Sequence, residues 1–164
     1  MTTPESTQTP GPGYDAVTAR TDLVGRLAAF HERVGTYLPG DVELDDNLPH
    51  QYAEAAVKIM TTGHPTSRKE VASAVLLILF GGGLYVPDPE FWRTDLGQLV
   101  YEAGDWPGHY LSVSEATHVL RVSRGRVHQL LAEKKIERSD VVEGAPIAAP
   151  ALRERWEKMR AVTG

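Results

Sequence analysis

The sequence predicts a mainly α protein. A four-helix N-terminal domain covers residues 16–108. Two short helices about a tight turn, a two-segment wing and a closing helix cover residues 109–164. Three observations predict this. Apolar residues recur every three or four positions through most of the chain, the period of a helix packed on one side. Proline and glycine clusters break that pattern at helix-length intervals. Serine followed three residues later by glutamate, a helix-start signature, occurs at Ser67/Glu70 and again at Ser112/Glu115. Residues 1–15 lie outside the pattern. Their Thr, Pro, Ser, Gln and Gly bury too little apolar surface to offset ordering entropy, which predicts a disordered tail.

The first helix is expected over Ala16–Tyr37, with Val17, Leu23, Val24, Leu27, Phe30, Val34 and Leu38 as its apolar stripe and Pro39-Gly40 as its stop. An acidic loop follows, Asp41 to Asp46. Asn47-Leu48-Pro49 opens a second helix with Tyr52, Ala55, Ala56, Ile59 and Met60 inward, and Gly63-His64-Pro65 breaks it. A third helix runs from a Thr66 or Ser67 cap to Phe80. Its stretch Ala72–Phe80 is apolar nearly all round, which predicts the central buried helix. Gly81–Gly83 ends it. Pro87-Asp88-Pro89 opens a fourth helix with Phe91, Trp92, Leu96, Leu99 and Val100 inward. Gly104–Gly108 reads as the joint between domains.

In the last third, Ser112 and Glu115 start a helix that runs to about Leu120, with Val113, Ala116, Val119 and Leu120 inward. Arg121-Val122 is the turn, a place where glycine is often found. Ser123 caps a second helix anchored by Val127, Leu130 and Leu131, which leaves Arg124, Arg126, His128 and Gln129 facing outward or sideways. Two extended segments about a Gly144-containing loop form the wing. Pro150 sits in the first turn of a last helix, Ala151–Val162, striped by Leu152, Trp156 and Met159.

Composition narrows the function. The 164 residues suffice for one ordinary domain or two small ones. The absence of cysteine excludes a disulfide framework, a thiolate zinc site and a cysteine nucleophile, and suits a reducing cytoplasm. The N-terminus lacks the basic start and apolar run of a secretory signal. Val71–Leu84 falls short of the about 20 apolar residues a membrane span needs. The net charge is −5, but it is divided unevenly. Residues 1–108 carry 7 Lys/Arg against 15 Asp/Glu, and residues 109–164 carry 10 against 7. A basic module on an acidic body fits a nucleic-acid reader whose acidic part faces away.

The segments Leu111-Ser-Val-Ser-Glu-Ala116, Leu120-Arg-Val-Ser123, Val127-His-Gln-Leu-Leu131, Glu133-Lys-Lys-Ile136 and Pro146-Ile147 resemble the winged helix-turn-helix of the excisionase and MerR-like DNA-binding families. The resemblance covers about a third of the chain. It implies a C-terminal winged helix-turn-helix whose second helix, residues 123–133, enters the major groove of double-stranded DNA. Arg124, Arg126 and His128 then become the base contacts, since arginine offers two donors to a guanine edge. Ser112, Ser114, Ser123, Gln129, Lys134 and Arg138 become phosphate contacts, which position the protein without specifying sequence. The implied function is transcription regulation of bacterial or phage type. One small module makes few base contacts, so a homodimer on a repeated or palindromic site is expected.

Other constellations carry less. The histidines at 31, 50, 64, 109, 118 and 128 lack metal-ligand spacing, and His31 reads as a partner of a surface acid. The acidic loop lacks the glycine and final glutamate of a calcium loop. Gly81–Gly83 lacks the Lys-Ser/Thr of a phosphate loop. No nucleophile motif, metal site or cofactor site is found, so no enzyme is expected. The acidic N-terminal domain supports one alternative, a protein-interaction adaptor or antitoxin-like protein that works through that domain.

Overall fold

The computed structural model describes residues 11–37, 40, 45–81, 88–104 and 110–163. Most of the expected tail, most of the acidic loop, Leu38, Gly82, Gly83, Pro87, most of the 104–108 joint and His109 lie outside these residues. Among the described residues the protein is mainly helical, with seven α-helices, one 3-10 helix and one two-stranded sheet. The chain divides into two compact units, Tyr14–Trp106 and one containing Pro107–Gly164.

The first unit is built from α1 (Ala16–Tyr37), α2 (Leu48–Thr62), α3 (Pro65–Phe80), a 3-10 helix (Pro89–Arg93) and α4 (Asp95–Ala103). Local chemistry sets the ends. Asp15 accepts from the backbone N–H of Val17 at 3.0 Å and so caps α1. Gly63 closes α2 by donating to the Ile59 carbonyl at 2.8 Å. Gly81, in the left-handed region at φ 79°, closes α3. The Ser67–Glu70 capping box expected for α3 is not the cap. Pro65, with its φ pre-set for a helix, starts α3 earlier, and His64 Nδ1 accepts from the Thr66 N–H at 3.3 Å.

The fourth expected helix is two elements. Thr94 is extended, and its hydroxyl donates to the Phe91 carbonyl at 2.6 Å while accepting from the Gly97 N–H at 3.0 Å. One side chain thereby ends the 3-10 helix and begins α4.

α4 is the central helix, and this corrects the assignment of that role to α3. Leu96, Leu99, Val100 and Tyr101 of α4 are buried, and α4 packs against α1, α2 and α3. In α3 only Ala72 and Val75 are buried, and Leu77 is 57% exposed. An all-round apolar pattern carries no direction, so it cannot say which side meets the core. Phe80, Phe91, Trp92 and Tyr101 make a chain of edge-on ring contacts with centroids 4.9, 5.5 and 6.0 Å apart. The buried Gln98 amide donates to the Trp92 carbonyl at 2.6 Å. Arg68 of α3 ties its neighbours together, donating to the Met60 carbonyl at 2.7 Å and facing Glu102 at 3.8 Å.

Two stripes differ in detail. In α1, Ala19, Leu23 and Leu27 are buried, whereas Val17 and Phe30 are 61% and 42% exposed. In α2, Ala53, Ala56, Val57 and Met60 are buried, Ala55 is exposed, and Tyr52 and Ile59 are half-buried. The run Ala53-Glu-Ala-Ala-Val57 offers an alanine to the core in several registers. Its period alone leaves the inner face underdetermined. His31 Nε2 lies 3.9 Å from Asp46, the kind of acid partner expected for it.

The second unit runs β1 (Tyr110–Leu111), α5 (Val113–Leu120), α6 (Arg124–Ala132), β2 (Ile147–Ala148) and α7 (Ala149–Thr163). β1 and β2 pair antiparallel, with Tyr110 opposite Ala148 and Leu111 opposite Ile147. A single bridge joins Arg138 to Ile147, and Ser139 donates to the Pro146 carbonyl at 2.7 Å. The loop between them, where two extended segments are expected, has little regular pairing. α7 begins at Ala149, two residues before its expected start, with Pro150 still in its first turn. Leu111, Ala116, Val119, Leu120, Val127, Leu130, Ile136, Ile147, Leu152 and Trp156 make the core. No helix of the described residues is long and apolar enough to cross a membrane.

Candidate functional site

The candidate site is α6 and the segments at its two ends. α5 is fixed at its start by a reciprocal cap. The Glu115 N–H donates to Ser112 Oγ at 3.1 Å, and the Ser112 N–H donates to Glu115 Oε1 at 3.2 Å. α5 ends at Arg121, which takes the left-handed conformation at φ 54°. The next N–H, from Val122, reaches back to the Thr117 carbonyl at 3.1 Å. The turn therefore uses the backbone state that glycine adopts most readily, with arginine in the position. Ser123 then caps α6 by accepting from the Arg126 N–H at 3.1 Å. α6 closes the same way. Lys134 is left-handed at φ 56°, and the Lys135 N–H donates to the Leu130 carbonyl at 2.9 Å. This closure places two lysines beside the negative end of the helix dipole.

Between these caps, Val127 and Leu130 are fully buried and Leu131 is half-buried. At roughly 100° per residue, these three define one side of α6. Gly125, Gln129 and Ala132 fall on the side opposite. Arg124 and His128 fall on one flank, one turn or roughly 6 Å apart along the axis. Arg126 and Glu133 fall on the other. Arg124, His128 and Gln129 are exposed, and Arg126 is half-buried.

The Arg126 flank is an ordered chain of contacts. Arg126 Nη1 donates to Gln129 Oε1 at 2.8 Å, Gln129 Nε2 donates to Glu133 Oε1 at 2.9 Å, and Lys135 Nζ lies 3.2 Å from Glu133 Oε2. The hydrogen bond from Lys135, then that from Gln129, holds the Glu133 carboxyl below the usual carboxylate range. Glu133 and Lys135 were not among the site residues read from the sequence. The three- and four-residue spacings from Arg126 to Gln129 to Glu133 carried a signal for Glu133, and no helical spacing marks Lys135.

No family model, curated protein or solved structure matches this chain.

The remaining site residues are placed as follows. Ser114 is exposed on the first turn of α5, and Lys134 is exposed just past α6. Arg138 is exposed at the base of the wing and lies 3.7 Å from Asp140. The hydroxyls of Ser112 and Ser123 are engaged as helix caps. Val141 and Val142 are exposed in the loop between Arg138 and Ile147. Chemically, α6 offers guanidinium, imidazole and amide donors on a helix whose opposite side is anchored in the core. Gly125 adds no bulk to the outward side, and nothing but the Ser123 hydroxyl lies within 4 Å of where its Cβ would be.

Proposed function

We propose that the second unit is a winged helix-turn-helix that inserts α6 into the major groove of double-stranded DNA. The protein is then a sequence-specific transcription regulator of bacterial or phage type, acting in the cytoplasm as a homodimer. One observation carries the reading. Val127 and Leu130 anchor one side of α6, while Arg124, Arg126, His128 and Gln129 stand on the others. Arg124, Arg126 and His128 read base edges. Ser114, Lys134 and Arg138 contact phosphates, and Ser112 and Ser123 do so from the helix ends they cap. Gln129 combines a phosphate contact with holding the Arg126 guanidinium by the 2.8 Å bond.

Arg124→Ala and Arg126→Ala are each expected to weaken binding to a selected site by roughly 1–3 kcal/mol while weakening random DNA far less. Gel shift on both DNAs reads the difference. Equal loss on the two would leave these residues no role in base reading.

Glu133 gives a second test with the opposite sign. Its carboxylate stands beside the arginine flank, where phosphates would approach. Removing this charge removes its repulsion of a phosphate, but solvent and salt screen an exposed carboxylate. Glu133→Gln is therefore expected to raise DNA affinity modestly, by no more than roughly fivefold. Because its pKa is lowered, the wild-type carboxylate stays charged further into the acid range than an ordinary glutamate, and the advantage of the variant persists as pH falls. Titrations at two pH values check this; an unchanged affinity removes Glu133 from the phosphate path.

The adaptor reading has its own support in the first unit, where Phe30 and Leu77 leave apolar surface exposed.

A further inference from the structure

The first unit carries a groove between the C-terminal halves of α1 and α3. Ala29 and Phe30 of α1 and Ile78 and Leu79 of α3 line it, with charged residues of α1 at its rim. Phe30 is 42% exposed, and Ile78 and Leu79 are half-buried. Such a patch on a helical unit marks a contact surface.

We infer that a second copy of this chain occupies the groove, with the two α1 helices antiparallel about a two-fold axis at Ala29. Charge complementarity selects this occupant. Arg26 and Glu32 both line the groove and stand three residues before and three residues after Ala29. A two-fold axis at Ala29 therefore sets Arg26 of each copy against Glu32 of the other. Any contact so related occurs twice. Glu32 is exposed and has no ion-pair partner among the described residues. Arg26 already bonds Asp22 at 2.9 Å and stacks 5.3 Å from the Phe91 ring centre, so its side chain is held in place. The same axis sets Gly25 against Arg33. Nothing lies within 4 Å of where a Gly25 Cβ would stand, which leaves room for the long side chain. Small residues at 25 and 29 let the two helices approach closely. The inference uses the first unit alone and does not depend on the DNA reading.

Sedimentation of the full chain tests it, with circular dichroism as the control for folding. The wild type is expected to be a dimer. Glu32→Arg and Arg26→Glu each put like charges together twice and are expected to weaken the dimer by roughly tenfold or more. An equimolar mixture of the two variants restores both opposite-charge contacts, and a heterodimer is expected to form. If Arg26→Glu loses helical signal, Phe30→Glu replaces it as the disrupting variant and is expected to weaken the dimer likewise. A monomeric wild type overturns the inference, since the groove would then be covered within one chain or by another partner. A dimer that the folded variants leave intact overturns it too, and so does a mixture of folded single variants that fails to associate.

Discussion

Gly97→Ala is expected to destabilise the first unit severely, although alanine ordinarily favours a helix over glycine by about 1 kcal/mol. A Cβ at position 97 would run into the Phe91 carbonyl oxygen and come within 2.8 Å of the Trp92 Cα. Both are backbone atoms, so no change of rotamer relieves the overlap. The 3-10 helix would have to move off α4. That movement would break the bond from the Gln98 amide to the Trp92 carbonyl and the bridge that Thr94 makes between the two elements. Overpacking costs about 1–3 kcal/mol and occasionally more. A buried amide left without its partner adds about 1–3 kcal/mol. Together these come to about 2–6 kcal/mol, which reaches the lower end of the whole stability of a small domain, about 5–15 kcal/mol. Thermal and urea denaturation read the effect. A midpoint unchanged or raised, as propensity alone demands, would mean that α4 and the 3-10 helix do not pack this closely.

Trp156→Ala is expected to cost about 3–5 kcal/mol, the range for truncating a large aromatic in a core. Trp156 is 1% exposed and is the largest fully buried side chain among the described residues, and its helix α7 packs against α5 and follows β2 directly. Removing the indole loosens the support under the α5–turn–α6 segment, so DNA binding is expected to fall with stability. Arg160→Ala is the matched control. It leaves the indole in place and removes the half-buried guanidinium stacked 5.2 Å from the ring centre, a contact worth about 0.5–2 kcal/mol. The ratio between the two variants decides whether burial or the charge–ring contact stabilises α7. Similar losses in both would contradict the burial account.

The fold was legible in the sequence where the pattern had a direction. The span of α1, the Ser112–Glu115 cap and the Ser123 cap all follow from residue type and spacing, and all are present. Legibility failed where the pattern had none. Ala72–Phe80 is apolar on every side, so its composition could not show that most of it stays outside the core. β1 has two residues, too few to display an alternating period, and only its pairing with Ile147-Ala148 reveals it. The break at Thr94 depends on a single hydroxyl that bonds in two directions.

The site divides the same way. The buried anchors Val127 and Leu130, with the polar residues between them, could be read from helical spacing. The spacing from Arg126 to Gln129 to Glu133 was also readable, but the closing contact from Glu133 to Lys135 needed the side-chain geometry. Arg121 could be recognised as occupying a glycine-like place. Its left-handed backbone shows that this turn keeps the glycine conformation without the glycine.

The central claim is that α6 reads base sequence. Selection of bound fragments from a random double-stranded DNA pool, run with the full chain at low and at higher salt, tests it most directly. The account predicts that one motif emerges at both salts, with affinity falling as salt rises because phosphate contacts release counterions. Retention of DNA without any shared motif, or no retention even at low salt, would contradict it.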